Sequence, residues 1–357
     1  MVSAILDSFG FDAETCIIKP FGSGLINHTW LLKDHEDDYI LQRVNNNVFK
    51  NPYAISENIR LLADYLRRHF PGYLFVTPLL SKDNHDVVEN SEGYYRIFPF
   101  VKNSVTYMTV ETPQVAFEAA NQFGKFTHLL SGFDEKLLKE TIPDFHNLTL
   151  RYKQFQSSLQ NGNQERLAQA KQILKKLQRF EYIVDEFEQI KKSAQFRQRV
   201  MHHDTKISNV LFDQEHNGLC VIDLDTVMAG YFISDVGDMM RTYLCPVSEE
   251  EKDFSKIEVR DDYFVAIVQG YLAEMQADLT AEEQKNFIYA GKFMIYMQCI
   301  RFLSDYFNND IYYGSSYDGQ NFNRAVNQLV LLERLEEKEE SLLQRIRQHK
   351  YVSTSEN

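Results

Sequence analysis

The chain has little of what marks several functional classes. Only four of its 357 residues are cysteines (Cys16, Cys220, Cys245 and Cys299), and none forms a Cys-x-x-Cys pair. That scatter argues against a zinc framework and for buried free thiols in a reducing compartment. No apolar run approaches the roughly 18 residues that a membrane-spanning helix needs. The opening Met1-Val2-Ser3-Ala4-Ile5-Leu6-Asp7 lacks the basic stretch of a secretory leader. A cytoplasmic protein with no membrane partner is expected. Positive charge is also in short supply: 38 Lys and Arg against 51 Asp and Glu, a net of −13. No basic stripe is left to neutralise a nucleic-acid backbone, so nucleic acid is not an expected partner. The acidity itself serves solubility. Repeats and low-complexity linkers are missing too. What remains is a chain that is 44% hydrophobic, long enough for two lobes with a sizeable core. Its oligomeric state, monomer or dimer, is not legible.

Against that background the stretch His202-His203-Asp204-Thr205-Lys206-Ile207-Ser208-Asn209-Val210-Leu211-Phe212, followed by Val221-Ile222-Asp223-Leu224-Asp225, stands out. Phosphoryl transfer from ATP needs one carboxylate beside the attacking hydroxyl. It also needs an amide and a carboxylate to hold Mg²⁺ on the phosphates. Asp204 fits the first place, Asn209 and Asp223 the second, as hard oxygen ligands that suit Mg²⁺. The apolar runs on either side of a polar stretch containing Asn217-Gly218 read as a β-hairpin. Folding that hairpin brings Asn209 and Asp223 to one end. Singly, each residue reads as a solvated loop residue; together, in strand context, they read as a site.

Residues 15 to about 100 alternate strand signals with one helix. Strands are expected at 16–20, 27–32, 39–43, 86–89 and 94–98. Asn51-Pro52 starts the helix, with Asn as N-cap and Pro at the first position, and Ile55, Ile59, Leu62 and Leu66 recur at helical spacing. From Thr112-Pro113 onward the pattern is mainly helical, with a long charged helix over roughly 163–192 and others near 261–275, 282–307 and 322–349. A hinge is expected at Pro99-Phe100-Val101-Lys102. Gly22-Ser23-Gly24, between strand signals, allows the backbone to approach phosphate oxygens. Phe98 and Phe100 offer apolar contacts to an adenine, or plain packing between the lobes.

His202-x-Asp204-x-x-x-x-Asn209 with Ile222-Asp223-x-Asp225 resembles the catalytic and metal motifs of the aminoglycoside phosphotransferase and choline kinase family, small-molecule relatives of the protein kinases. His203 stands where that family usually has glycine. Gly22–Asn27, Tyr39–Arg43, Arg96–Phe100, Ile222–Met228 and Arg301–Tyr306 are similar to passages of the N-acetylhexosamine 1-kinases within it, so the likeness covers nearly the whole chain. It implies an α+β, protein-kinase-like two-lobed fold. Residues 1–101 would form a small N-lobe with an antiparallel sheet. Residues 102–357 would form a larger, mainly helical C-lobe carrying the catalytic hairpin at 201–225. The implied cofactors are ATP and Mg²⁺, and the implied reaction is phosphorylation of the anomeric hydroxyl of an N-acetylhexosamine, an amino sugar. Another small acceptor (choline, homoserine, methylthioribose or an aminoglycoside) and a nucleotide-binding pseudokinase stand as alternatives.

Carried onto this chain, the resemblance places Gln42 where kinases have a strand lysine that grips phosphate. Adjacent Arg43 should point to the opposite strand face. Either a bulge turns Arg43 inward, paired with Glu57 of the Asn51-Pro52 helix, or the clamp comes from elsewhere. His202 would shape the loop and Asp235 would brace it. Asp225 is a candidate for a sugar hydroxyl or a second metal. Arg241, Arg301, Asp305 and Tyr306 are candidates for the acceptor, alongside Asp204. Arg301 and Asp305, four apart, would otherwise form an ion pair along one helix.

Overall fold

Strand signals in the first hundred residues build a five-stranded antiparallel sheet, in the order 17–20, 28–34, 37–44, 93–99, 88–90. The architecture comes from a computed structural model, which describes residues 2–22, 26–35 and 37–353. A short helix α1 (Val2–Phe9) precedes β1 (Ile17–Pro20), β2 (His28–Asp34) and β3 (Asp37–Val44). Helix α2 (Pro52–His69) follows, then β4 (Val88–Asn90) and β5 (Gly93–Pro99). Register places Trp30 opposite Leu41 and Leu41 opposite Ile97. Leu32, Leu41, Tyr95 and Ile97 pack with Ile5 and Leu6 of α1 into a small core. One residue along, Thr29, Gln42 and Arg96 line up across the three strands on the opposite face.

Helix α2 begins as its sequence dictates: the Asn51 side chain accepts from the Ala54 amide, and Pro52 needs no partner there. Its basic last turn, Arg67, Arg68 and His69, complements the helix dipole. The stripe Ile55, Ile59, Leu62 and Leu66 is buried in the core of the other lobe and not against the sheet. Asn58 fixes that docking by donating to the Val227 and Lys139 carbonyls, at 3.0 and 2.9 Å.

The larger lobe is mainly helical. Its helices are α3 (Pro113–Leu129), α4 (Leu148–Asn161), α5 (Gln164–Gln169), α6 (Lys171–Leu177), α7 (Tyr182–Lys192), α8 (Phe232–Tyr243), α9 (Asp261–Met275), α10 (Phe287–Phe307) and α11 (Gln320–Ser353). Two short antiparallel pairs are inserted among them: β6 (Arg199–Met201) with β9 (Met228–Gly230), and β7 (Val210–Phe212) with β8 (Gly218–Val221). The two-lobed α+β architecture matches the expectation.

The helix expected over 163–192 is broken in two places, at Ala170 (φ −85°, ψ 1°) and at a 3₁₀ turn over Gln178–Phe180. A straight helix would let its apolar stripe drift off the core. The breaks keep Ile173, Leu177, Phe180, Ile183, Phe187 and Ile190 all buried. The hairpin turn also differs. It runs from Asp213 to Asn217, held by Asp213 Oδ1 accepting from the Glu215 and Asn217 amides, and the left-handed residue is His216 (φ +67°). All four cysteines are free thiols, but only Cys220 and Cys299 are buried; Cys16 and Cys245 are half-buried.

Candidate functional site

The loop between β6 and β7 is held by carboxylates from below. Asp235 of α8 accepts from the His202 amide at 2.9 Å and the His203 amide at 2.7 Å. Asp238, one turn on, accepts from the Thr205 amide at 2.9 Å. Thr205 Oγ1 donates to the Asp235 carbonyl and Tyr243 to the Thr205 carbonyl. Away from the loop, α8 packs closely on α10 because of Gly237: a Cβ there would fall 2.3 Å from the Ala290 oxygen of α10. The His202 ring donates from Nε2 to the Ile222 carbonyl at 2.9 Å and accepts the Asp204 amide at Nδ1. Burial holds its pKa below the usual range, so the ring is neutral. His202 and Asp235 therefore sit where a loop-shaping pair was expected. His203, in the glycine position of the motif, takes the left-handed conformation that glycine would (φ +65°).

This scaffold brings two acidic side chains, Asp204 and Asp223, together with the amide of Asn209. Asn209 Nδ2 donates to the Asp204 carbonyl and carboxylate, at 2.9 and 3.0 Å. Lys206 Nζ lies 2.8 Å from the same Asp204 oxygen. Burial pushes the Asp204 carboxyl up, but Lys206, His202 and Asn209 outweigh it and hold the group below its usual range. Across the β7–β8 hairpin, the Ile222 amide donates to the Asn209 carbonyl at 2.9 Å, which brings Asp223 beside Asn209. Asp223 takes a left-handed backbone (φ +60°) at the start of the 3₁₀ turn Leu224–Thr226. Burial, then Asp225 and Asp204, push its carboxyl up to about 7. Among the described residues there is no cluster of three or more His, Cys, Asp or Glu side chains fit to hold a metal. The donor set here is two oxygens. Asn209 spends its Nδ2 on Asp204, which leaves Oδ1 and the Asp223 carboxylate for a cation that takes its other ligands from water and phosphate, as Mg²⁺ does.

Asp225 is drawn away from that pair. Its side chain is 3% exposed and meets Arg96 Nη2 at 2.6 Å. Its other oxygen accepts from Asn27 at 2.8 Å, while Asn27 Oδ1 takes the Asn45 amide. This is a tie between the sheet and the hairpin, and it is where the structure places the residue expected as a candidate for a sugar hydroxyl or a second metal. Gln42 accepts two hydrogen bonds from Arg96, at 3.1 and 2.9 Å. Arg43 lies on the other face, against Gly93, and Glu57 meets Lys139 at 3.8 Å; the expected Arg43–Glu57 pair is not formed. No bulge turns Arg43 inward, because the β3–β5 register runs unbroken from Tyr39 to Val44. Phe98 packs under the Arg96 guanidinium at 5.0 Å, and Phe100 meets Phe21 edge-on at 6.1 Å. Gly22 is exposed with φ +75°; Ser23 and Gly24 lie outside the described residues.

On the other side of the catalytic loop, His146 stacks on Phe145 and reaches His203, with ring centroids 5.3 Å apart. Burial, then His203, Arg301, Arg241 and Arg151, drive the His146 pKa well down, so a neutral ring sits among three guanidiniums. Arg241 is bound to Asp238 at 3.0 Å and Glu249 at 2.9 Å. Arg301 donates to Gln298 and lies 5.5 Å from the Tyr313 ring, with no carboxylate in ion-pair range among the described residues. The Arg301–Asp305 pair is not formed. Asp305 is buried and accepts from the Tyr312 and Tyr313 amides and from Asn321, so it shapes the loop after α10. Tyr306 faces the opposite way, donating to Gln169 and stacking with Arg166. Asp305 and Tyr306 are thus brought to the frame of the site, not to its surface. Sequence reasoning missed Lys206, Arg96, Asn27, His146 and Arg151. Lys206, a charge inside the motif, and Asn27 and Arg96, at the ends of passages that carry the family likeness, had visible signals; His146 and Arg151 had none.

A fold of this kind, with an Asp–Asn–Asp constellation between a small sheet and a helical lobe, defines a kinase-like phosphotransferase of small molecules. The comparisons agree. A model of the phosphotransferase enzyme family (APH) matches residues 17–276, and the chain belongs to that family. Its activity is transfer of a phosphoryl group to a hydroxyl acceptor. The fold is shared with a spectinomycin phosphotransferase solved with ADP and spectinomycin (14% identity, TM-score 0.57, 94% of this chain and 97% of that one). It is shared also with the microcompartment-associated aminopropanol kinase (15%, 0.59, 96% and 97%). A third is choline kinase from Cryptosporidium parvum Iowa II (12%, 0.59, 97% and 98%). Among the described residues no helix is long and apolar enough to cross a membrane.

Proposed function

We propose that the protein phosphorylates the anomeric hydroxyl of an N-acetylhexosamine, using MgATP, to give the sugar 1-phosphate. Residues 1–101 cover the nucleotide and residues 102–357 carry the acceptor. The observation that carries the reading is the ionised Asp204 carboxylate, fixed by Asn209 and Lys206 and set beside Asp223 across the hairpin. Asp204 orients the acceptor hydroxyl and takes its proton. The acceptor oxygen bonds to the γ-phosphorus as the bond to the β–γ bridging oxygen breaks, and ADP leaves with that electron pair. Asn209 and Asp223 would hold Mg²⁺, whose charge would neutralise the phosphates. Lys206 keeps Asp204 ionised in the acidic surroundings of Asp223 and Asp238.

The sugar assignment draws on the likeness to N-acetylhexosamine 1-kinases and on the acceptor side of the loop. Arg301, with no carboxylate in ion-pair range among the described residues, lies on that side, and its guanidinium suits hydroxyl and acyl oxygens rather than a cationic acceptor such as choline or an aminoglycoside. The experiment is ATP consumption over N-acetylglucosamine, N-acetylgalactosamine, glucosamine, glucose, choline, homoserine and kanamycin. ADP release with the acetylated sugars and phosphate at C1 supports the reading; activity confined to choline or kanamycin sinks the sugar assignment. Nucleotide binding with no turnover on any acceptor would favour the pseudokinase.

A further inference from the structure

We propose that Arg96, and neither Gln42 nor Arg43, grips the phosphates of the bound nucleotide, with Gln42 as its positioning residue; the proposal rests on the kinase reading above. Gln42 occupies the strand position of the usual lysine and has no charge to offer. Its register partner on β5 is Arg96. Gln42 Oε1 accepts from both Nε and Nη2 of Arg96, and its Nε2 donates to Thr29 on β2 at 3.4 Å. Three adjacent strands therefore aim one guanidinium across the cleft. The cation has moved one strand over, and the glutamine holds it there.

Two features mark this as more than a tie between lobes. Arg96 Nη1 is shut off from solvent and has no hydrogen-bond partner. A buried guanidinium with an unmet donor is costly unless a ligand supplies the acceptor. The Nη2 contact with Asp225 is also ionic and not a directed hydrogen bond, so Asp225 Oδ1 too lacks a hydrogen-bond partner. A phosphate oxygen can take Nη1, and a share of the charge, without breaking a well-formed bond. Planar guanidinium forks suit phosphate, and this one is already oriented. The other cation nearby, Lys206, is committed to Asp204.

The test measures dissociation constants of MgATP and of adenosine, with ADP release, for the full-length protein and for Arg96→Met and Gln42→Leu. A lost charged hydrogen bond corresponds to a weakening of about 30-fold. Arg96→Met should weaken MgATP by that factor and adenosine by less than about threefold, since adenosine brings no phosphate. Gln42→Leu keeps the ion pair and so covers the case in which Arg96→Met fails to fold; it should weaken MgATP by about fivefold with adenosine unchanged. Restoring a lysine, Gln42→Lys in the Arg96→Met background, should recover part of the MgATP affinity. Equal loss for MgATP and adenosine, or no loss for MgATP, overturns the clamp while leaving a kinase that turns over. A wild-type protein that binds no adenine nucleotide sinks the kinase reading itself, and the clamp with it.

Discussion

The imidazole of His203 fills the space that a side chain at Gly230 would need. A Cβ at Gly230 would fall 2.4 Å from Nε2 of His203 and 2.7 Å from its Cε1. The motif's usual glycine at position 203 is thus exchanged for a histidine, and a glycine on the neighbouring β9 strand makes room for it. Gly230→Ala should cost about 1–3 kcal/mol by overpacking and lower turnover by tilting the loop. Combined with His203→Gly the same change should cost much less, because the obstructing ring is gone. Urea unfolding of the two single variants and the double variant measures that coupling; simple additivity would refute the pairing.

The same ring sets an acid limit on stability. Burial, then the neighbouring His202, lowers the His203 pKa from 6.5 to about 4, so the folded state favours neutral imidazole. The contribution is full above pH 6.5, where the unfolded histidine is also neutral. It is lost as pH falls from there to about 4, by an amount on the order of 3 kcal/mol. His203→Gln should be less sensitive across that window. Unfolding free energies of both proteins at pH 7, 5.5 and 4.5 give the comparison, and parallel curves would contradict the burial argument.

Asp204→Asn keeps the shape of the loop and removes the proton acceptor. Turnover should fall by about 10²–10⁴-fold while MgATP affinity changes little. Steady-state ADP release and calorimetric binding together decide it; undiminished turnover would assign the role elsewhere.

Arg301 and Asp305 lie one turn apart on α10 but face different duties. Arg301→Ala should raise the acceptor KM by about tenfold or more and leave the ATP KM alone, as expected for one lost charged hydrogen bond. Asp305→Ala strands the Tyr312 and Tyr313 amides and Asn321, at a cost of about 1–3 kcal/mol seen in thermal unfolding. If Asp305→Ala melts like wild type, the capping role is wrong.

Much of the N-lobe was legible because its signals are local. Alternation placed all five strands, and Asn51-Pro52 placed the start of α2, since capping and period-two burial depend on neighbours in the chain. The spacing from Asp204 to Asn209 and the apolar runs around a polar turn were enough to bring Asn209 and Asp223 together. Helix α8 is buried along nearly its whole length, polar residues included, and nothing local in the sequence said that those polar positions would be enclosed. Of its two buried aspartates, Asp235 was expected to brace the loop; Asp238 gained meaning only beneath the Thr205 amide it accepts.

The chemistry of the site was written in the sequence, because a hydrogen-bonded hairpin converts fixed spacing into fixed proximity. Tertiary structure decided which charge stands where. Arg96 and Gln42 are 54 residues apart, and Asn27 and Asp225 are 198 apart. Nothing local links either pair; strand register and the docking of one lobe on the other do. The same holds for Asp305 and Tyr306, which the likeness of their segment to a sugar kinase made candidates for the substrate but whose partners, Asn321 and Gln169, come from elsewhere in the lobe. Periodicity says which side chains share a face, and only packing says what that face meets.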